Sequence, residues 1–239
     1  MEKFQKIRAM AAKRKGGEAA LCELLPPVIS KSELSKKGDD RFLSTMTRCV
    51  FQAGFHWSVI AKKWPGFEEA FFGFDLRKLA LLSIEDWDAY FKDKRIVRNG
   101  TKINALIKNT QFVIDTAKEH GSFAKFIANW PESDLVGLWA YLKKRGSRLG
   151  GNTSQYFLRF IGKDSFILSR DVTAALRNAG LDIRDNPTTK RELQLAQDAF
   201  NKWHKETGLS YANISRILAY SIGVNYENED IKKEQGKYR

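Results

Sequence analysis

The side chains best suited to handling a planar ligand form one short segment, Gln52-Ala53-Gly54-Phe55-His56-Trp57. Apolar positions before it predict a helix from Phe42 to Phe51, and Gly54 is expected to break that helix. The break would place Phe55 and Trp57 at its tip, where aromatic rings are free to stack on a ligand.

Two stretches of the chain are strongly basic. Residues 92–108 carry six Lys or Arg against one acid, and residues 141–184 carry nine against three. These stretches hold eleven of the thirteen net positive charges, which is typical of a surface that binds a polyanion. An aromatic tip together with such a surface predicts contacts with nucleobases as well as phosphates, and hence a nucleic acid partner.

A glycine-rich turn lies inside the second basic stretch. A basic helix is expected to end at Gly146, and the residues that follow, Leu149-Gly150-Gly151-Asn152-Thr153, lead into a new helix near Thr153. Paired glycines let the backbone approach a phosphate, and the N–H groups of a new helix attract the anion. An ordinary helix–helix turn would give the same spacing. The density of Lys and Arg around the turn favours phosphate binding.

A single carboxylate, Asp171, follows the turn by twenty residues. Its place before an apolar run predicts the N-cap of a helix from Val172 to Ala179. A carboxylate there could also stabilise an oxocarbenium-like sugar, so capping and catalysis both remain open. Trp57, Trp139 and Tyr156 are either base-stacking rings or core residues.

Composition and periodicity predict an all-α protein. The chain has 239 residues, 43% of them hydrophobic, which is enough to bury a hydrophobic core in one large domain or in two closely packed lobes. Apolar residues recur at helical spacing nearly throughout, and the one extended candidate, Ser165 to Leu168, is too short to build a sheet. The expected organisation is a basic helix or loose arm with a linker at 1–40, a helical domain at 41–225 and a frayed polar tail at 226–239.

The sequence also predicts several absences. Its apolar runs fall short of the ~20 residues needed to span a bilayer, and residues 1–17 lack the features of a secretory signal, so a reduced, cytoplasmic protein without membrane contacts is expected. Cys22 and Cys49 give neither a disulfide framework nor a metal cluster, and His56 has no partner at metal-ligand spacing. We therefore expect no metal and no cofactor.

Several motifs together resemble the type I 3-methyladenine DNA glycosylases. The 52–57 segment is similar to the family's Q-A-G-x-x-W signature, and Phe74-Asp75 follows as its F-D does. Residues 96–103 resemble I-I-R-x-x-x-K-I, Asn109 falls on a downstream asparagine, and residues 142–146 match L-K-K-R-G before a tyrosine at Tyr156. The resemblance implies the helix-hairpin-helix DNA glycosylase fold, with two closely packed helical lobes and a cleft between them. It also implies a monomer that excises an alkylated purine from damaged double-stranded DNA.

The sequence departs from the family at three places. The family's pocket carboxylate is replaced by Cys49, and its zinc ligands are missing, with Val172 where a histidine is expected. Asp171 stands about where the wider helix-hairpin-helix glycosylases have a catalytic aspartate. The hairpin here lacks their lysine, and Ser154 or Gln155 occupies that region. The resemblance therefore implies hydrolysis without strand cleavage.

The roles implied by this resemblance divide the candidate residues into four groups. The DNA wedge is Phe55 at Gly54. The base pocket has Trp57 and Tyr156 as walls, Gln52 as the reader of the base edge, and Cys49. The catalytic carboxylate is Asp171, and the residues that contact the DNA backbone are Arg98, Lys102, Gly150, Gly151, Asn152 and Thr153. A non-catalytic DNA-binding protein that retains the fold is the alternative. A helical adaptor whose basic faces bind acidic proteins is a third possibility.

Overall fold

A computed structural model describes residues 2–236 of the chain, and this part is helical with no β-strand. The predicted all-α class is therefore confirmed. The helices are α1 (Phe4–Lys15), α2 (Glu18–Glu23), α3 (Lys31–Lys36), α4 (Asp39–Gln52), α5 (Trp57–Ala70), α6 (Leu76–Ala80), α7 (Ile84–Tyr90), α8 (Gly100–His120), α9 (Phe123–Asn129), α10 (Leu135–Arg145), α11 (Asn152–Ile161), α12 (Arg170–Asn178), α13 (Lys190–Thr207), α14 (Tyr211–Ser221) and α15 (Asn228–Gly236), with 3-10 turns at Phe72–Phe74 and Glu132–Asp134.

The helices form two compact units. Unit 1 comprises Pro131–Val136 with the described parts of Met1–Ile29 and Leu158–Arg239, and unit 2 comprises Ser30–Trp130 and Gly137–Phe157. The sequence placed one domain at 41–225, whereas the observed division puts the first helices together with the last ones.

Unit 2 is built around aromatic contacts between α4, α8 and α9. Phe123 on α9 meets Phe42 on α4 and Phe112 on α8 edge-on, with ring centroids 5.7 and 5.4 Å apart. The carboxylate of Asp39, at the start of α4, accepts hydrogen bonds from the backbone N–H groups of Phe123 and Ala124 at 3.0 and 2.9 Å. It thereby satisfies donors that have no partner inside α9 and fixes α4 against α9.

The long helix α8 has clear sequence signals at both ends. The side chain of Asn99 caps its N-terminus by accepting from the backbone N–H of Lys102, and Gly121 ends it at φ +80°. Before it, Ser83 and Asp86 form a reciprocal capping box at the start of α7. Both signals can be read from the sequence, because Ser83 three residues before an acid predicts a helix start and Gly121 after the helical spacing predicts a helix stop.

Unit 1 includes the N-terminal helices in its core. The ring of Phe4 on α1 lies 5.5 Å from that of Trp203 on α13, and Phe166 stacks on Phe200 with centroids 4.0 Å apart. Phe4 is fully buried. Of the two alternatives for this segment, a basic helix or a loose arm, the helix is observed, and its apolar face completes the core of unit 1.

The C-terminal segment is also attached to unit 1. Lys15 Nζ donates to Asn225 Oδ1 and to the carbonyl oxygen of Tyr226, both at 2.8 Å, and Asn228 Nδ2 donates to the carbonyl of Lys15 at 3.0 Å. Residues 226–236 are not the frayed tail that the sequence predicted, since these bonds hold them to the end of α1. The last part of that predicted tail, 237–239, lies outside the described residues.

Within the described residues, no helix is both long and apolar enough to cross a membrane.

Candidate nucleic-acid interface

The tip after α4 exposes an aromatic ring, as predicted. The last turn of α4 closes with a hydrogen bond from the backbone N–H of Ala53 to the carbonyl of Cys49, and Phe55 N–H then bonds to the carbonyl of Gln52. Gly54 adopts φ +76° between them, a conformation that residues with a β-carbon rarely take. The side chain of Phe55 is 39% exposed, so the tip presents an apolar ring to solvent on a short, hydrogen-bonded turn.

Lys102 supports this tip from inside the protein. Its side chain is buried, and Nζ donates to the carbonyl oxygens of Phe51 and Ala53 at 2.9 and 2.6 Å. These carbonyls belong to the end of α4, where the last carbonyl oxygens of a helix have no N–H donors within the helix. The same ammonium lies 4.4 Å from the ring centroid of Phe55, within the range of a cation–π contact.

This position differs from the expectation that Lys102 contacts the DNA backbone. Two of the three N–H donors of this ammonium are bonded to carbonyls, and Lys102 is only 4% exposed, so a phosphate has little access to it. Burial lowers the pKa of Lys102, and the nearby positive charge of Arg148 lowers it further. Lys102 is therefore a structural support of the tip in this fold.

Two polar side chains on one face of α4 are buried beneath the tip. Gln52 is 2% exposed, and neither its amide oxygen nor its amide nitrogen has a hydrogen-bond partner within the part of the chain that the structure describes. A buried amide without partners costs free energy, and it offers one acceptor and two donors to an incoming ligand. The thiol of Cys49, one helical turn earlier, is buried, and desolvation raises its pKa to about 12, so the group is neutral.

Trp57 and Tyr156 lie together, although they do not face each other as two walls. Trp57 is the first residue of α5 and Tyr156 lies on α11. Their rings meet edge-on, with centroids 5.0 Å apart and planes at 87°. Both side chains are half-buried. The two rings thus form a single aromatic corner, in which the face of one ring is covered by the edge of the other.

The turn between α10 and α11 is held in place by α8. The side chain of Asn109 donates to the carbonyl of Ser147 at 3.1 Å and accepts from its backbone N–H at 2.7 Å. A β-carbon at Gly146 would lie 2.5 Å from Leu149 Cδ1 and 3.0 Å from the carbonyl oxygen of Leu142, so the packing at the helix end favours glycine. In the sequence Asn109 is only a matching motif position, whereas its double hydrogen bond in the structure gives it a role in shaping the hairpin.

The tip of the hairpin exposes backbone and positive charge. Arg148 and Gly151 adopt φ +59° and +57°, and helix α11 restarts at Asn152, close to the predicted restart at Thr153. Gly151 and Asn152 are exposed, and the first N–H groups of α11 have no partners inside that helix. A helix start of this kind favours an anion. The positive charge of Arg148 at this turn also lowers the pKa of Lys102, which supports the Gly54–Phe55 tip.

Many of the basic residues counted in the sequence are held by partners inside the protein. Arg95 pairs with Asp93 and Glu69, Lys163 with Glu132, Arg177 with Asp185, and Arg184 with Glu192, while Arg159 donates to the carbonyl of Ser165. The exposed side chains of Arg98, Lys143, Lys144 and Arg148 make no such bond within the described residues. The exposed cationic surface therefore comprises fewer residues than the count of Lys and Arg in the sequence indicated.

Asp171 is not the cap of its helix. Helix α12 begins at Arg170, and the side chain of Ser169 is the N-cap, because it accepts from the backbone N–H of Val172 at 3.3 Å. The capping prediction was wrong by two residues, since Ser and Asp are both good caps and both precede the apolar run. Asp171 lies in the first turn of α12, in unit 1, half-buried and beside Gly223.

Metal ligands are not grouped in the described part of the chain. Among residues 2–233, whose side chains are described, no three His, Cys, Asp or Glu side chains lie together in a way that would hold a metal ion. Cys22 is exposed and Cys49 is buried, and neither forms a disulfide.

The fold and these clusters are those of an all-α protein with a helical hairpin and an aromatic tip. Residues 34–144, just under half of the chain, match the family model described as methyladenine glycosylase. Residues 34–144 are therefore similar to the methyladenine glycosylase family. The matched range contains α4, the tip, α8 and most of α10.

Two curated relatives carry names from the same family. Over 76 residues the chain is 33% identical to the DNA-3-methyladenine glycosylase of Haemophilus influenzae. The aligned stretch covers 32% of this chain and 41% of the relative. Over 123 residues it is 30% identical to DNA-3-methyladenine glycosylase 1 of Escherichia coli. This aligned stretch covers 44% of this chain and 66% of the relative. The chain thus matches less than two thirds of the length of either relative.

Solved structures with related names are similar in part. The 3-methyladenine DNA glycosylase I of Staphylococcus aureus is 26% identical with a TM-score of 0.47, covering 52% of this chain and 77% of that one. The 8-oxoguanine glycosylase/lyase of Methanocaldococcus jannaschii, in complex with DNA, is 12% identical with a TM-score of 0.49, covering 92% and 90%.

Proposed function

We propose that the protein is a monofunctional DNA glycosylase that excises an alkylated purine from double-stranded DNA. The observation that carries the proposal is the unpartnered amide of Gln52, buried beneath an exposed aromatic tip. The relatives named DNA-3-methyladenine glycosylases support the same reaction class. Duplex DNA with a damaged base is the proposed partner, and the proposed active form is a monomer.

The tip and the hairpin fit the first step, in which a damaged base leaves the duplex. An extruded base leaves a gap that an apolar side chain can fill, and Phe55 on Gly54 is the proposed wedge. The proposed phosphate contacts are Arg98 and the hairpin from Gly150 through Gly151 and Asn152 to Thr153. Lys102 is not among these contacts, because its ammonium is bonded to the carbonyls at the end of α4.

Recognition of the base is assigned to the buried face of α4 and the aromatic corner. The amide of Gln52 would donate to and accept from the edge of the base, and Trp57 or Tyr156 would contact its face. The neutral thiol of Cys49 fills the place of the family's carboxylate and adds no negative charge. Hydrogen bonding and shape would then distinguish the damaged base from normal bases. The positive charge of the alkylated purine would assist the breaking of the glycosidic bond.

Excision needs little help from a general acid, because an N-alkylated purine already carries positive charge as a leaving group. The bond between the base nitrogen and C1′ breaks, water adds its oxygen to C1′, and the water's proton is released. Asp171 would stabilise the positive charge that develops on the sugar. Ser154 and Gln155 stand where a lyase would need a lysine, and both are buried, so no strand cleavage is expected.

The test is release of alkylated bases from methylated duplex DNA, measured for the intact chain and for Gln52→Met. Methionine keeps the length and apolar stem of glutamine and removes both amide groups. We expect the single-turnover rate to fall about a hundredfold, because the polar groups on the edge of the base would enter the site without a hydrogen-bond partner. Thr47→Val is the matched control, because Thr47 is also buried on α4 with an unpartnered hydroxyl.

Equal rates for the two variants would contradict the assignment of Gln52. A non-catalytic DNA-binding protein is the second candidate, and the replacement of the family's acid by Cys49 favours it. Tight, salt-sensitive binding to the same duplex without any base release would select this second function.

A further inference from the structure

The carboxylate of the proposed catalytic residue, Asp171, lies directly against the backbone of Gly223. A β-carbon at Gly223 would lie 2.7 Å from Oδ1, 2.8 Å from Cγ and 3.1 Å from Oδ2 of Asp171. Real side chains do not approach so closely, so the whole carboxylate occupies the space that any other residue at position 223 would need. Gly223 also has φ +74°, which a residue with a β-carbon adopts only with strain.

Gly223 is held in place by the N-terminal helix. On α1, Arg14 Nε donates to the carbonyl of Tyr220 at 2.9 Å, and Arg14 Nη2 donates to the carbonyl of Gly223 at 2.6 Å. Asn225 Nδ2 in turn donates to the carbonyl of Arg14 at 2.9 Å. The loop after α14 is therefore fixed to α1 on either side of Gly223.

The carboxylate itself is positioned by packing. Asp171 forms no hydrogen bond or ion pair within residues 2–233, so no donor in that part of the chain sets the orientation of its two oxygens. The contact with Gly223 restricts how the carboxylate can rotate. A shift of the loop by the size of one methyl group would push the carboxylate to a new position.

We propose that Gly223 and Arg14 are positioning residues for Asp171, and that they keep its carboxylate in the orientation needed for base excision. This inference rests on the proposed function. A misplacement of about 1 Å at a catalytic group is enough to lower a rate up to a hundredfold, so a small displacement of the loop would be measurable. Neither residue needs to contact the substrate.

The decisive variant is Gly223→Ala, with Gly208→Ala as its matched control. Gly208 lies in the same unit at φ +69°, and a β-carbon there would meet nothing within 4 Å. Both substitutions therefore strain the backbone similarly, whereas only Gly223→Ala collides with a carboxylate. We expect the single-turnover rate to fall roughly tenfold or more for Gly223→Ala and less than about twofold for Gly208→Ala, with lesion-DNA affinity unchanged in both.

A double-mutant cycle tests whether the effect passes through Asp171. In an Asp171→Asn background, whose excision is already impaired, adding Gly223→Ala should lower the rate no further. A second pair keeps the inference testable if Gly223→Ala does not fold. Arg14→Gln removes the two bonds to the loop, and Lys13→Gln removes the same charge from an exposed neighbour on α1. We expect Arg14→Gln alone to slow excision.

The outcomes separate this inference from the proposed function. Normal excision by the unsubstituted chain, with equal rates for Gly223→Ala and Gly208→Ala, would overturn the positioning role alone. The same rate loss in the Asp171→Asn background would also overturn it. A chain that releases no alkylated base from any duplex would overturn both the proposed function and this inference.

Discussion

Replacing Lys102 with methionine should destabilise the tip without removing a proposed phosphate contact. The ammonium is buried and donates to two carbonyls, at 2.9 and 2.6 Å. Hydrogen bonds to charged groups contribute about 1.5–3 kcal/mol each, and the desolvation that lowers the pKa of Lys102 offsets part of this. We therefore expect Lys102→Met to reduce the free energy of unfolding by about 2 kcal/mol, because two carbonyls at the end of α4 lose their donor.

The assay combines denaturant unfolding with DNA binding at several salt concentrations. For Lys102→Met, affinity should fall equally at all salt concentrations, since the tip is less well ordered and no phosphate contact is lost. The control is Arg98→Gln, an exposed cation, for which the slope of log affinity against log salt should become shallower by about 0.9 with stability unchanged. If Lys102→Met changed the salt slope as Arg98→Gln does and left stability intact, the supporting role of Lys102 would be refuted.

Three further predictions concern the carboxylate, the hairpin and the thiols. Asp171→Asn should fold with stability within about 1 kcal/mol and bind lesion DNA normally while excising about a hundredfold more slowly, and an intact rate would remove its catalytic role. Asn109→Leu should weaken DNA binding about tenfold by freeing the hairpin, at a cost of roughly 2–3 kcal/mol for two lost backbone bonds, whereas Gln111→Leu on the exposed side of α8 should not. At pH 8 a thiol reagent should modify Cys22 and leave Cys49 protected, as mass spectrometry would show. Because the folded pKa of Cys49 is about 12 against 9.0 for a free thiol, its contribution to stability is complete below pH 9 and is lost as the pH rises toward 12, and a flat stability profile across that range would contradict the burial of this thiol.

Local signals account for the parts of the fold that the sequence predicted well. The capping pair at Ser83 and the glycine stop at Gly121 act within one or two turns of chain, so their consequences can be read without knowing the tertiary structure. The start of α11 at Asn152 is set by Gly151 in the same way. The helix bounds consequently differ from expectation by only a few residues.

Apart from the cap of α12, which lies at Ser169 and not at Asp171, the misplaced predictions depend on contacts between distant residues. A lysine in a basic segment gives no sign that its ammonium is buried, and the support that Lys102 gives to Phe51 exists only because α8 crosses the end of α4. The same is true of the N-terminal helix, since the partner of Phe4 is Trp203, nearly two hundred residues away. Of the candidate site residues, the tip could be predicted because it lies in one segment, whereas the orientation of Asp171 could not.

The distribution of the chain between the two units has a consequence for the order of folding during synthesis. Unit 2 ends at Phe157, so all of its residues are available well before the ribosome reaches the C-terminus. Unit 1 joins α1 to α14 and to Asn225, and the closure of so long a loop must await the last helices. A nascent chain paused after residue 157 would therefore already display the tip and the hairpin turn, while the carboxylate of Asp171 would not yet have been made. Such an incomplete chain would carry the proposed wedge and would lack the proposed catalytic carboxylate.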